Sequence, residues 1–365
     1  MIRTLLVGCI MAISVSNYSQ RLLNDQVLIE KIEMGINYMY NCQFEKSGTI
    51  YKEVVNELPG HPAGVFLEGI QVYWKNFPIT PHNFEKEQKF ISAMEKTIQL
   101  SSEMLEKNEK DIEGCFFQLI SRGMLMMYYA DIGSQSKVIP HASPSYKHVL
   151  KAFDYIEKFP EFLFITGLYS YYIEAYPEYH PFYKPFVMLF KKGNKKEGLS
   201  QLKHACDHTI FVRAESLLFT SIIYMNFEKE SSKALLYAEK LHNLYPRNPY
   251  FLSRYVEMLI ENEKFQEAVP FLIKLFDYKD NKFVLMNAFV FKGAIEEKYK
   301  LDMVKAEKDY KQGLELTPLF GDRSPHYQSI AYAGLSRIHK KDNPKLSKSY
   351  WKMAKDAATY SYVLD

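Results

Sequence analysis

The sequence predicts an all-α chain, a right-handed α-solenoid of about eight antiparallel helix pairs. Three observations carry this. A helix-length pattern recurs thirty-four residues apart, in Ala234-Leu-Leu-Tyr-Ala238-Glu-Lys-Leu241 and Ala268-Val-Pro-Phe-Leu272-Ile-Lys-Leu275. In each, a small residue stands where two helices cross, and apolar residues follow four and seven positions on. The same period separates Gly35 from Gly69 near the other end. The one stretch that could be read as a strand, Phe162 to Tyr176, is rich in aromatic and β-branched residues, but its length without a turn residue favours a buried helix. A solenoid also accommodates 365 residues without two or three separate cores, because each repeat packs on its neighbours. The hydrophobic fraction of 47% is that of a folded chain, and 28 Tyr and 25 Phe suit helix-pair interfaces filled by large rings.

The first residues are of another kind. Arg3 gives a positive start, Thr4 to Val15 is an uncharged, mainly apolar run, and Ser14, Ser16 and Ser19 supply small residues. That is the pattern of a secretory signal peptide over residues 1–19, cleaved after Ser16 or Ser19. The run is too short to span a bilayer, and a buried N-terminal helix is the alternative. Leu6-Val-Gly-Cys9 has the look of a lipidation site, but few apolar residues precede Cys9 and the run continues past it. Residues 20–365 form the helical repeat domain, with Cys42, Cys115 and Cys206 far apart in it. An odd number so placed reads as small buried residues rather than a disulfide framework, with one bridge as the alternative in an oxidising compartment. No later run has the roughly 20 apolar residues that cross a membrane.

In chain order, the first clear repeat occupies 27–60. Gly35 lets two helices approach, Ser47, Tyr51 and Val54 face back from the second, and Pro59 stops it. Phe77-Pro-Ile-Thr-Pro-His82 is an inserted turn, followed by a long amphipathic helix from Phe84 to Lys107. Glu113 to Ala130 and Ser145 to Phe159 pair next, joined by what reads as a long loop from Asp131 to Pro144. Phe162 to Tyr176 follows, and the Pro177-to-Pro185 stretch interrupts the pattern before Gly198, Leu202 and Ala205 restore it. The remaining clear repeats are 215–248, 249–280 and 287–320, with about four residues inserted near Tyr278-Lys-Asp-Asn281. A last pair, Tyr327 to Ile338 and Leu346 to Thr359, closes the array.

These positions resemble tetratricopeptide (TPR) repeats over nearly all of the mature chain. Residues 160–260 are more particular: Gly167-Leu-Tyr-Ser-Tyr-Tyr-Ile-Glu-Ala-Tyr-Pro177, Phe190-Lys-Lys-Gly193-Asn-Lys-Lys-Glu-Gly198-Leu-Ser-Gln-Leu202 and the repeats up to Pro246-Arg-Asn-Pro resemble the Iml2/tetratricopeptide-39 group. Gly193-Asn-Lys departs from that group's Gly-Asp-Arg-like turn. The resemblance implies a non-enzymatic scaffold.

A solenoid recognises partners on its concave side, built from first helices. By repeat register, Asn226, Tyr250, Ser253, Glu257, Lys298 and Tyr299 line that side and form the expected protein-binding groove. The partner expected is an unidentified protein or peptide, and the setting is bacterial, periplasmic or at the cell surface. A net charge of +3 gives no argument for nucleic acid. The rival is a glycan- or small-ligand-binding protein using the insertions at 131–146 and 176–186, with Tyr176, Tyr179, His180, Phe182 and Tyr183 as an aromatic platform. The bland reading is that these rings cover the end of a helix pair. Lys191, Lys192, Lys195 and Lys196 form one basic turn, and Arg337, His339, Lys340, Lys341, Lys345 and Lys348 another; both read mainly as solvated helix ends. His204 and His208 share one helical face at zinc-like spacing, but Cys206 points elsewhere, so no metal and no cofactor is expected. No nucleophile motif, phosphate-binding glycine loop or framed carboxylate pair stands out, so no catalytic residue is assigned.

Overall fold

A computed structural model describes residues 21–179 and 181–364, the side chains of Tyr183 and Phe186 excepted. The expected signal peptide, residues 1–19, lies outside the described residues, as does His180. The described residues form helices and no strand. They pair as α1 (Gln26–Tyr40) with α2 (Phe44–Glu57), α3 (Pro62–Lys75) with α4 (Phe84–Lys107), and α5 (Ile112–Asp131) with α6 (Gln135–Ala152). Next, α7 (Phe162–Tyr179) pairs with α9 (Lys195–His208), and the short α8 (Lys184–Val187) lies between them. Then come α10 (Arg213–Asn226) with α11 (Ser231–Leu244), and α12 (Pro249–Glu261) with α13 (Phe265–Leu275). The last pairs are α14 (Lys282–Lys298) with α15 (Met303–Leu316), and α16 (Pro325–Ile338) with α17 (Pro344–Ala357). This is the expected solenoid of eight TPR-like pairs.

Small residues set the crossings. Ala234, Ala268 and Ala306 are all fully buried where second helices meet first ones. At the α7–α9 crossing, a Cβ on Gly198 would lie 2.6 Å from the Tyr171 nitrogen and 2.7 Å from the Gly167 oxygen. Two backbones touch there, which only glycine permits.

Residues 131–146 are not a long loop. Only residues 132–134 connect α5 to α6, and α6 runs through Pro140 and Pro144. Each proline removes one ladder donor, but the carbonyls left unbonded belong to Ser136 and Pro140, both exposed, so water can satisfy them. Helix α7 likewise continues through Pro177 to Tyr179.

A second difference matters more for function. The ends of α1, α3 and α5 dock against the starts of α12, α14 and α16, so the array closes on itself. Asn248 caps α12 through its Oδ1, which accepts from the Tyr250 and Phe251 nitrogens at 3.0 and 3.2 Å. Its Nδ2 donates to the Tyr40 carbonyl at the end of α1, 3.1 Å away. Asn281 repeats the device one pair later, capping α14 while its Nδ2 donates to the Phe77 carbonyl at 3.2 Å. Arg323, before α16, pairs with Asp131 at the end of α5 at 3.3 Å. Between these polar ties lie rings. Trp74 sits 5.3 Å from Tyr40, 5.2 Å from Phe251 and 6.2 Å from Tyr250, and Phe77 sits 5.9 Å from Phe283. Ring-to-ring packing of this kind fuses the two halves into one core.

Candidate peptide groove

Helices α10, α12, α14 and α16 line the inner side of the last four pairs. In an open solenoid this side faces solvent. Here it is occupied by residues 358–364, which leave α17, turn back across the inner helices and end in the tight turn Ser361–Leu364. The Tyr360 hydroxyl meets the Asn226 side chain, and its ring lies 6.1 Å from Phe227. The Tyr362 hydroxyl donates to Glu257 Oε1 at 3.1 Å. Val363 is buried, and together with Tyr362, Glu257, Glu261, Lys298 and Arg337 it encloses a cavity of about 20 Å³, room for one water.

The floor of this groove is an ionic network rather than an apolar one. Glu257 is 1% exposed. Its Oε1 also bonds His326 Nε2 at 2.6 Å, and its Oε2 accepts from the Arg254 guanidinium. Burial alone would raise its pKa, but the Arg254 and His326 charges outweigh burial and hold it down at about 2. One turn on, burial and then the Glu257 charge push Glu261 up to about 7. Glu297 grips Arg337 through Nε and a terminal nitrogen at 2.7 and 3.1 Å and accepts from the Tyr310 hydroxyl at 2.7 Å. The Tyr310 ring is slotted between Gly293 and Gly334, where a Cβ would come within 2.7 and 2.3 Å of it. Glu257 and Glu297 thus serve as fixed acceptors for the hydroxyls of Tyr362 and Tyr310.

Of the six residues expected on the inner face, Asn226, Glu257 and Lys298 lie at the seat of residues 358–364, and the other three are engaged elsewhere. Ser253 is fully buried and accepts from Asn287 Nδ2 at 2.9 Å. Glu257 is covered by Tyr362, and Asn226 meets Tyr360. Tyr250 is half-buried, with its ring 4.6 Å from Phe77. Lys298 is exposed at the cavity mouth, and Tyr299 is partly exposed, stacked on Phe265 at 5.7 Å. The groove is filled from within because the chain supplies its own ligand-like segment and its own N-terminal helices. Sequence reasoning missed His326, Arg254 and Tyr362, and it read Arg337 only as part of a basic turn. The Arg254–Glu257 spacing of one helical turn was a signal for the ion pair, but nothing local marks its partners on α16 or in 358–364.

Of the aromatic platform, the Tyr179 hydroxyl donates to the Phe227 carbonyl at 2.6 Å and its ring packs 5.1 Å from Phe227, so it covers the end of a helix pair. Tyr176 is partly exposed and Phe182 strongly so. His180 and the Tyr183 side chain lie outside the described residues. The His204 and His208 rings stack 3.8 Å apart on the surface, while Cys206 turns inward to Thr220, so the three do not converge. Arg337 is not a solvated helix end but the half-buried partner of the buried Glu297. Among the described residues no helix is long and apolar enough to cross a membrane.

No family model matches the chain. No curated protein matches it either. Among solved structures it is similar to a monomeric mutant of IFIT1 with Gppp-AAAA, with a TM-score of 0.32 and 14% identity over 86% of this chain and 68% of that one. It is similar also to the human IFIT1 dimer with m7Gppp-AAAA, with a TM-score of 0.29 and 15% identity over 87% of this chain and 68% of that one. At these scores the likeness carries no argument, and the architecture rests on the helices themselves.

Proposed function

We propose that the protein is a non-enzymatic, exported TPR-type scaffold that binds a short aromatic segment of a protein partner on the inner face of its last four helix pairs. The observation that carries this is the seat of residues 358–364. A short piece of polypeptide ending in a tight turn already lies in the groove, with Tyr360 against Asn226, Tyr362 on Glu257 and Val363 buried. A partner presenting hydroxyl-bearing rings at similar spacing meets the same Asn226, Glu257 and His326. The Iml2/tetratricopeptide-39-like stretch belongs to this reading, since it implies a scaffold. The partner is protein rather than nucleic acid, and the chain works outside the cytoplasm, in keeping with the signal-like residues 1–19. The rival reading of a glycan-binding protein loses one of its two insertions, because 131–146 lies mostly in α6.

The test empties the groove. Tyr360→Ala with Tyr362→Ala weakens the seat of the resident segment. A synthetic peptide copying residues 358–364 then binds this variant in isothermal titration and not the parent protein. Cross-linking in native cells enriches a partner on the variant. A peptide that ignores the variant, while circular dichroism shows the helices intact, rejects the groove.

A further inference from the structure

We propose that the connection between α7 and α9 docks the protein on an anionic lipid surface. From residue 180 to residue 196 the sequence carries five lysines, at 184, 191, 192, 195 and 196, and no aspartate or glutamate. The base of this connection is clamped to the solenoid. The Lys191 nitrogen donates to the Tyr146 hydroxyl oxygen at 2.9 Å, and the Tyr169 hydroxyl donates to the Lys191 carbonyl at 2.6 Å. The Phe190 ring meets Tyr146 edge-on at 4.9 Å, and the Lys191 ammonium lies 3.6 Å over the Phe153 ring. Next to this clamp, Met188 and Leu189 are each 83% exposed, and before α8 in the same connection Phe182 is 77% exposed. A group of large apolar side chains held out on a fixed base marks an interaction surface.

The rim selects the occupant. Lys195 is paired with Glu178 at 2.9 Å, whereas Lys184, Lys192 and Lys196 are exposed and pair with no carboxylate among the described residues. A second copy docking here symmetrically would set lysines against lysines. An anionic bilayer satisfies both features: the apolar tips enter the boundary between headgroups and acyl chains, and the ammonium groups stay at the phosphates. The segment lies on the membrane, because α8 is only four residues long. The inference does not depend on the groove, and its test does not involve it.

The test is sedimentation of the full chain with phosphatidylcholine vesicles, with or without about 30% phosphatidylglycerol. The protein is expected to pellet with the anionic vesicles only, and less so as salt rises. Met188→Ser with Leu189→Ser is expected to weaken partitioning about tenfold or more. Lys192→Glu with Lys196→Glu is expected to abolish the preference for anionic vesicles. Thermal unfolding should be unchanged in both variants, since the altered side chains are exposed. The proposal falls if the parent protein ignores anionic vesicles, or if the serine variant binds them equally well. It falls also if sedimentation velocity shows the parent self-associating through this face and the serine variant monomeric.

Discussion

Asn248→Asp isolates one of the hydrogen bonds that hold the first half of the solenoid against the second. Aspartate caps a helix about as well as asparagine, so the bonds to the Tyr250 and Phe251 nitrogens survive. What disappears is the Nδ2 donor to the Tyr40 carbonyl, at a site where Asn248 is 3% and Tyr40 1% exposed. An orphaned buried carbonyl costs about 1–3 kcal/mol. The new charge gains about 0.3–1 kcal/mol from the helix dipole, but it also faces the Tyr40 carbonyl oxygen that has lost its donor. The expected net loss is about 1–2 kcal/mol. Asn343→Asp is the control, because Asn343 is exposed and caps α17 through the Leu346 nitrogen at 3.1 Å. It should be neutral or slightly stabilising. Urea unfolding reads the difference, and Trp74 is the reporter once Trp351→Phe removes the other of the two tryptophans. Trp74 packs on Tyr40 and Phe251 at the closure itself. With a slope of about 3 kcal/mol/M, the midpoint should fall by roughly 0.3–0.7 M for Asn248→Asp and hold for the control. Equal midpoints, with Trp74 emission unchanged, would refute the closure as a source of stability.

Three further outcomes follow from burial and from close approach or its absence. Burial pushes the Glu215 carboxyl up to about 7, and the Tyr40 hydroxyl bond pulls it back only in part. A folded pKa above the ordinary 4.5 means its contribution is full below about 4.5 and lost as pH rises through about 7. Glu215→Gln should therefore match the parent near pH 5 and exceed it near pH 8 by on the order of 1 kcal/mol, and a difference independent of pH would contradict this. Gly198→Ala should cost about 3 kcal/mol or more, because its Cβ would strike backbone on α7. Gly123→Ala, with nothing within 4 Å of its Cβ, should instead gain about 0.5–1 kcal/mol in thermal unfolding.

Much of the architecture was legible in the residues. The thirty-four-residue recurrence at Ala234 and Ala268 marks buried helix crossings, and Phe84 to Lys107 is the boundary of α4 as observed. The misses have local causes. Pro140 and Pro144 read as breakers, yet a helix exposed on that side tolerates them. Register placed Ser253 and Glu257 on the inner face but could not reveal that the face is filled.

The helix pairs were determined by sequence alone, because helix formation and pair packing depend on side chains within a few turns of one another. The closure of the solenoid and the occupied groove were decided only in three dimensions. Asn248 and Asn281 look like ordinary caps, and the carbonyls of Tyr40 and Phe77 that take their spare donors lie some two hundred residues away and carry no mark in the sequence. Glu257 likewise acquires His326 and Tyr362 only when distant helices converge, and such convergence is a property of the assembled superhelix rather than of any single repeat.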